Sequence, residues 1–378
     1  MLYLDHAATT AVRPETREAM APFFDDAFGN PSGMHAVSQR AKNAMEEARE
    51  RAAELLGAGR PLEIVFTGGG TEADNLAVTG AALAHGNLGG VVTTAIEHEA
   101  VLESAHFVSR LGGSVAIVGV DRDGRVDPAL VAARVTPQTR VVSVMAANNE
   151  VGTVQPVAEI AAAARGENPE VLVHTDAVQA YISEEVTAAS TGADLIALAA
   201  HKFGGPKGVG LLYVHDGVDL EPVLHGGGQE LGRRSGTHNV AGIVGMVAAM
   251  EATVADRTAF RERVGRARDR FESALIAAVP DVEINGAGAA RLVQHSHLRI
   301  PGVRAETLLI RLDQAGLAAA AGSACQSGAV EVSHVLAAMG FDETAAAECV
   351  RFSFGWPSVP ADGDLAAAQV AAIVGELR

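Results

Sequence analysis

Short runs of apolar, largely β-branched residues recur along the chain: 62–67, 91–96, 115–118, 141–145, 171–175, 195–198 and 209–214. Between them, apolar positions repeat every three or four residues. Ser38 to Leu56 is the clearest case, with Ala41, Ala44, Met45, Ala48, Ala52 and Leu55 on one helical face and Gly57 as a stop. Such alternation predicts an α/β fold. After about Gly236 the pattern changes to one long helical region followed by mixed short elements, which predicts a domain boundary near residue 255. No internal repeat is visible, and the alanine-rich patches read as helix surface.

The chain has 378 residues, 48% apolar and 20% charged, the composition of a folded protein of two domains. Its formal charge of −17 argues against nucleic acid as a main partner, because phosphate binding needs a basic face. The opening MLYLDHAATTAVRPE lacks the basic and apolar segments of a leader, and no stretch approaches 18 uninterrupted apolar residues. A cytoplasmic protein without a membrane partner is expected. Two cysteines, Cys325 and Cys349, make neither a disulfide framework nor a four-cysteine zinc site, so no metal is expected and a single reactive thiol stays open.

In α/β sheets, ligands collect at the carboxyl ends of strands, and five of the endings here are polar. The first runs into TGGGTEADN, residues 67–75, where glycines let the backbone approach an anion and Thr71 opens a helix whose free N–H groups favour phosphate. An ordinary glycine turn before a helix is the competing reading; the stretch lacks the Gly-Lys-Ser/Thr of a nucleotide loop and the dinucleotide spacing. The second leads to His98 in EHEAV, which alone reads equally as a structural histidine. The fourth leads to Asn148, Asn149 and Glu150, amides for a ligand oxygen or for a turn. The fifth ends in Asp176, with Gln179 three residues on; its alternative is helix capping. The sixth delivers His201 and Lys202, the lysine 26 residues after Asp176 (202 − 176), about one strand, helix and returning strand.

A phosphate cup, an aspartate, an imidazole and a lysine on neighbouring strand ends match the needs of pyridoxal 5′-phosphate: lysine for a Schiff base, aspartate for the pyridine nitrogen, a helix end for the phosphate. A solvated loop cation is the usual fate of a lysine. That reading leaves the other four endings unexplained.

In this order the motifs YLDHAATT, FGNPSGMH, EIVFTGGGTEADNLAV, VVTTAIEHEAVL, MAANNEVGT, HTDAVQA, AHKFGGPKGVG, HGGGQE, RRSGTHNV, GSACQSG and VRFSFG run nearly from end to end, and the chain resembles the cysteine desulfurases, of the class V aminotransferase group. That resemblance implies a fold type I pyridoxal-phosphate enzyme: a large domain over 15–255 with a mostly parallel seven-stranded sheet, and a smaller α+β domain from 1–14 plus 256–378 carrying a cysteine loop. It implies Lys202 as the Schiff-base lysine, Asp176 as partner of the pyridine nitrogen, Gln179 and Asn149 near the ring oxygen, and His98 stacked on the ring. Gly70, Thr71 and His201 would hold the phosphate, and Thr237 would reach the phosphate of a neighbouring subunit in a homodimer. Arg351 would clamp the carboxylate of L-cysteine, where a guanidinium fork is suited; a strand-end salt bridge is its other reading.

Cys325 lies in AGSACQSGAVE, whose small residues predict a mobile loop. By resemblance its thiolate takes the sulfur of cysteine, leaving alanine and a persulfide for a protein acceptor such as an iron–sulfur scaffold. Cys349, in the apolar run AAAECVRF, reads as a buried small hydrophobe. Two departures stand out: Ala199-Ala200 replaces the Ser-Gly of many relatives, removing one phosphate donor, and Trp356-Pro357 replaces a more polar continuation. A selenocysteine lyase or an aminotransferase of the same fold shares the cofactor residues. A non-catalytic scaffold is disfavoured by Lys202 and Asp176, and a cysteine hydrolase by the lack of histidine between Ser323 and Gly328.

Overall fold

The apolar runs form strands because β-branched residues fit a pleated, buried surface. In the computed structural model, which describes residues 1–86, 88–321 and 333–378, the first eight strands are β1 (Leu2–Tyr3), β2 (Ile64–Thr67), β3 (Gly90–Thr94), β4 (Val115–Val118), β5 (Thr139–Ser143), β6 (Leu172–Asp176), β7 (Leu195–Ala199) and β8 (Gly210–Val214). Seven of them make one sheet in the order β2-β8-β7-β6-β5-β3-β4. β8 runs antiparallel to both of its neighbours, and the other pairs are parallel. A sheet buried on both faces needs continuous apolar strands, and β7, LIALA, is buried at all five positions.

Most strand bounds fall within two residues of the apolar runs. β3 stops at Thr94 rather than Ile96 because the chain turns there: the Glu97 carboxylate accepts from the Thr94 hydroxyl at 2.6 Å and from the Met145 N–H at 3.0 Å. The helix expected from Ser38 starts at Ala36, since the His35 imidazole accepts from the Ser38 N–H as an N-cap; it ends at Gly57, whose φ of 65° suits glycine.

A second group of strands, β9 (Glu283–Ile284), β10 (His295–Arg299), β11 (Leu317–Ala318) and β12 (Cys349–Ser353), follows the 39-residue helix Val240–Ala278. β12, β10 and β9 form an antiparallel sheet, while β1 pairs in parallel with β11. The chain's first residues therefore belong to this second layer. Residue 255 lies inside the long helix, which packs its Phe260 and Phe271 into a core shared with Phe203, Phe352 and Phe354. The segment Asp5–Thr10 bridges to β12 at Ser353 and crosses the carboxyl ends of β6 and β7, where the Gln179 amide donates to the Ala7 carbonyl and the Thr10 N–H to the His201 carbonyl.

Candidate active site

After the apolar β7, the chain tightens into a single 3₁₀ turn, Ala200–Lys202, and this turn aims Lys202 at the crossing N-terminal segment. Its Nζ donates to the carbonyls of Ala7 at 2.6 Å and Ala8 at 3.0 Å. Burial and the charge of Arg351 lower its pKa to about 8, against the pull of Asp176 and Asp5. Asp176 pairs in register with Ala197 of β7, so acid and amine stand at adjacent strand ends. The Asp176 carboxylate accepts from the Val178 N–H at 2.9 Å, capping a turn rather than a helix. Burial raises its pKa, while His98, the Val178 N–H and Lys202 oppose.

More buried titratable groups surround Asp176. Burial and the nearness of Asp176 and Glu97 raise the pKa of Asp74 well above the carboxylate range. Burial lifts Glu97 to about 8 despite its two donors. His174, two residues before Asp176 on β6, is kept neutral by burial, with a pKa of about 3; its Nδ1 lies 2.8 Å from Ser143 Oγ and its Nε2 3.6 Å from Asp74 Oδ1. Like charges in so small a volume cannot all ionise. Asp176 has the N–H donor and the lysine nearby that a single carboxylate needs.

The turn after β2 leads into the helix Gly70–Leu83, and Thr71 sits exposed in its first turn. β8 runs so close beneath that a Cβ on Gly210 would meet Leu198 O at 2.6 Å and Gly69 C at 2.7 Å. A cleft of about 880 Å³ opens here, lined by Thr9, Gly70, Thr71, His201 and Lys207 among others. His201 Nδ1 lies 3.2 Å from Thr9 Oγ1, and burial together with Lys202 and Lys207 lowers its pKa to about 4. Ala199 and Ala200 are buried beneath the cleft and offer no hydroxyl to it.

Around Lys202 the remaining candidates converge. Gln179 Nε2 donates to the Ala7 carbonyl at 2.8 Å. Arg351 donates to the Asn149 carbonyl at 2.9 Å and to Asp5 Oδ1 at 2.7 Å, so the strand-end ion pair is present and the guanidinium lies beside Asn149. Of the asparagines, Asn148 shapes the turn: its Oδ1 accepts from Glu150 N and Val151 N and its amide donates to Ile96 O, all buried, whereas Asn149 is half-buried. His98 caps the helix Glu99–Arg110, its Nδ1 accepting from Ala100 N at 3.1 Å, which puts the ring proton of the neutral form on the exposed Nε2. Thr237 is exposed on a separate loop and bonds to none of these residues. Cys325 lies outside the described residues. Cys349 is buried on β12, where burial pushes its thiol up to about 11.

Several participants have no counterpart among the candidates read from sequence. Asp5, Ala7 and Ala8 sit in the YLDHAATT motif but act through backbone or a distant ion pair. Asp74, Glu97 and His174 were visible only as polar residues near strand ends. Trp356 anchors the crossing segment, its indole donating to the Ala11 carbonyl at 2.9 Å while Arg13 lies 5.2 Å over its ring.

Residues 2–362 match the model of the aminotransferase class-V family. The chain is 41% identical over 355 residues, 94% of its length and 89% of the relative's, to a cysteine desulfurase IscS of Dictyoglomus turgidum. Among solved structures it is similar to a NifS-like protein, with a TM-score of 0.92, 35% identity and 99% of each chain covered. It is also similar to SspA in complex with cysteine, with a TM-score of 0.82, 32% identity, 94% of this chain and 99% of that one.

Proposed function

We propose that this chain, which belongs to the class-V aminotransferase family, is a pyridoxal-phosphate-dependent cysteine desulfurase that converts L-cysteine to L-alanine and passes the sulfur to an acceptor. The observation that carries this reading is the half-buried Lys202 amine, held by two carbonyls among the described residues and lowered to about pKa 8, at the strand end next to Asp176.

The residues fit the cofactor. A cleft lined by the backbone of Gly69 and Gly70, a helix end at Thr71 and a buried carboxylate at Asp176 suit a phosphate and a protonated pyridine ring. Lys202, Asp176, Gln179, Asn149, His98, Gly70, Thr71 and His201 would hold it. When bound, the cofactor supplies an electron sink for the substrate's carbon framework.

The rest falls to side chains. Lys202, with a pKa near neutrality, exchanges a proton at Nζ within the working pH range. Asp176, whose pKa burial raises while His98, the Val178 N–H and Lys202 hold it down, would face the pyridine nitrogen. Arg351 receives the substrate carboxylate in exchange for Asp5, to which it is now paired. The Cys325 thiolate attacks the substrate sulfur; the electrons of the carbon–sulfur bond pass to carbon, which takes up a proton to become alanine, and the sulfur stays on Cys325 as a persulfide.

The same reading makes residues 15–255 the cofactor-binding domain and 1–14 plus 256–378 the smaller domain, which carries the Cys325 loop. The pairing of β1 with β11 supports grouping the first residues with the second layer. It takes the enzyme as a homodimer in which Thr237 serves the partner's phosphate, with a protein acceptor such as an iron–sulfur scaffold. A persulfide carrier needs a reducing compartment, which favours the cytoplasm. Among the described residues, no helix is long and apolar enough to cross a membrane.

Visible absorption of the purified protein before and after adding cysteine, with alanine measured in parallel, tests the reading. Coloured protein and alanine formed without a keto acid are expected. A colourless protein making no alanine, or a strict need for a keto acid, would overturn it.

A further inference from the structure

Only two non-glycine residues among those described hold a left-handed backbone, and they are adjacent: Glu230 at φ 50° and Leu231 at φ 57°. Side chains crowd the backbone in this region, so such a pair persists only where its surroundings hold it. The Glu230 carboxylate supplies the hold. It accepts from Arg49 at 2.7 and 2.8 Å, from the Phe66 N–H at 3.0 Å and from His238 Nε2 at 2.7 Å. Burial alone would raise its pKa, but the hydrogen bonds from Arg49 and His238, the Arg49 charge and the Phe66 N–H bring it down to about 2.

These contacts bracket Thr237. His238 follows it directly, and on its other side the Gly236 N–H donates to Gln229 Oε1 at 2.8 Å. Residues 229 and 230 thus grip residues 236 and 238. The loop is also tied to the cup: Arg234 donates to Glu72 Oε1 at 2.7 Å, and Glu72 Oε2 accepts from the Gly68 N–H at 2.9 Å. Phe66, the third contact of Glu230, lies on β2, the strand that enters the cup.

We propose that Glu230 is the positioning residue of Thr237, its carboxylate joining the loop to β2 and to the helix of Arg49 so that the exposed threonine hydroxyl is presented in one place. The inference rests on the reading of Thr237 as a phosphate ligand, here that of a neighbouring subunit.

The test is a double-mutant cycle on cofactor affinity: full-length apoprotein is titrated with pyridoxal phosphate while the bound chromophore is followed, for the parent, Glu230→Gln, Thr237→Val and the double variant. Each single substitution should weaken affinity by about 10-fold or more, the worth of one lost hydrogen bond to a charged group. If Glu230 acts through Thr237, the double variant is no weaker than the weaker single. A Glu230→Gln that has no effect, or that weakens the parent and the Thr237→Val chain by the same factor, overturns the proposal and leaves the role of Thr237 standing. Unchanged affinity in Thr237→Val overturns both. Because Glu230→Gln disturbs the buried partner of Arg49 and can unfold the chain, His238→Ala, which keeps the Arg49–Glu230 pair, is taken through the same cycle with the same expectation.

Discussion

Lys202 and Gln179 donate to the same oxygen: the Ala7 carbonyl accepts from Nζ at 2.6 Å and from Nε2 at 2.8 Å. This one acceptor gathers the carboxyl ends of β6 and β7 onto the N-terminal segment. It also marks what a ligand must displace to reach the lysine.

A lysine held this way should capture the cofactor in a pH range that an ordinary lysine does not reach. Its pKa is lowered from 10.5 to about 8, so the neutral, nucleophilic amine predominates above about pH 8. Pyridoxal phosphate uptake by the apoprotein, followed by stopped-flow absorbance, should accelerate as pH rises and level off above about pH 8. A rate still climbing toward pH 10 would show that burial does not tune this amine. Lys202→Ala should lose both the lysine-linked chromophore and turnover.

Arg351 pairs with Asp5 at 2.7 Å and is nearly all buried, so it is placed before substrate arrives. Arg351→Lys keeps the charge but loses the fork. Its KM for cysteine should rise about 10- to 100-fold, the value of a lost hydrogen bond between charged groups, with little change in the absorption of the resting enzyme. Steady-state kinetics and a spectrum separate these; an unchanged KM would return Arg351 to a purely structural ion pair.

The two thiols should behave oppositely. Cys349 is fully buried, its thiol donates to Ala345 O at 3.2 Å, and its pKa stands at about 11, so it holds almost no thiolate near neutrality. After a cysteine pulse, mass spectrometry should find the extra sulfur on Cys325. Cys325→Ser should keep the cofactor and its spectral response to cysteine yet form no persulfide. Cys349→Ser should keep most activity at a cost of roughly 1–3 kcal/mol in stability. Sulfur on Cys349 would refute the assignment.

Stability of the apoprotein should fall with rising pH because of Glu97. Its folded pKa of about 8 lies above the ordinary glutamate value of 4.5, so between these values the folded chain keeps a proton that the unfolded chain has released. Its contribution is therefore greatest below the unfolded pKa and is lost as pH rises toward the folded one, at about 1.4 kcal/mol per pH unit. His6, His174, His201, His295 and His297, whose pKa values burial lowers from 6.5 to about 3 or 4, act in the opposite sense below about pH 6.5. Urea denaturation between about pH 6.5 and 8 is therefore where the fall should show, and Glu97→Gln should reduce it. A parent slope that the substitution leaves unchanged would place the titration elsewhere.

Much of the fold is legible because its cause is local. Apolar β-branched runs make strands, and β2 to β8 fall within two residues of their runs at nearly every end. A glycine with a left-handed φ of 65° ends the helix Ala36–Leu56 where Gly57 stands in the sequence. The polar residues at strand ends are legible for the same reason: in an α/β sheet the strand's direction tells where its next side chain goes. That is why Asp176, Lys202 and the Gly69–Thr71 turn could be singled out one at a time.

By itself the sequence determined the alternating pattern, the chemistry at each strand end and, through the ordered motifs, the family. Only the tertiary structure decided what each group meets. Lys202 rests on the carbonyls of residues 7 and 8, Arg351 on Asp5 across 346 positions, and the two neighbours of Thr237, Gly236 and His238, on Gln229 and Glu230. A backbone carbonyl carries no side-chain signature, and a pKa depends on burial and on neighbours brought together from distant segments. The three buried acids Asp74, Glu97 and Asp176 look alike in the chain; packing them into one small, dry volume makes them differ, because one negative charge there opposes the next.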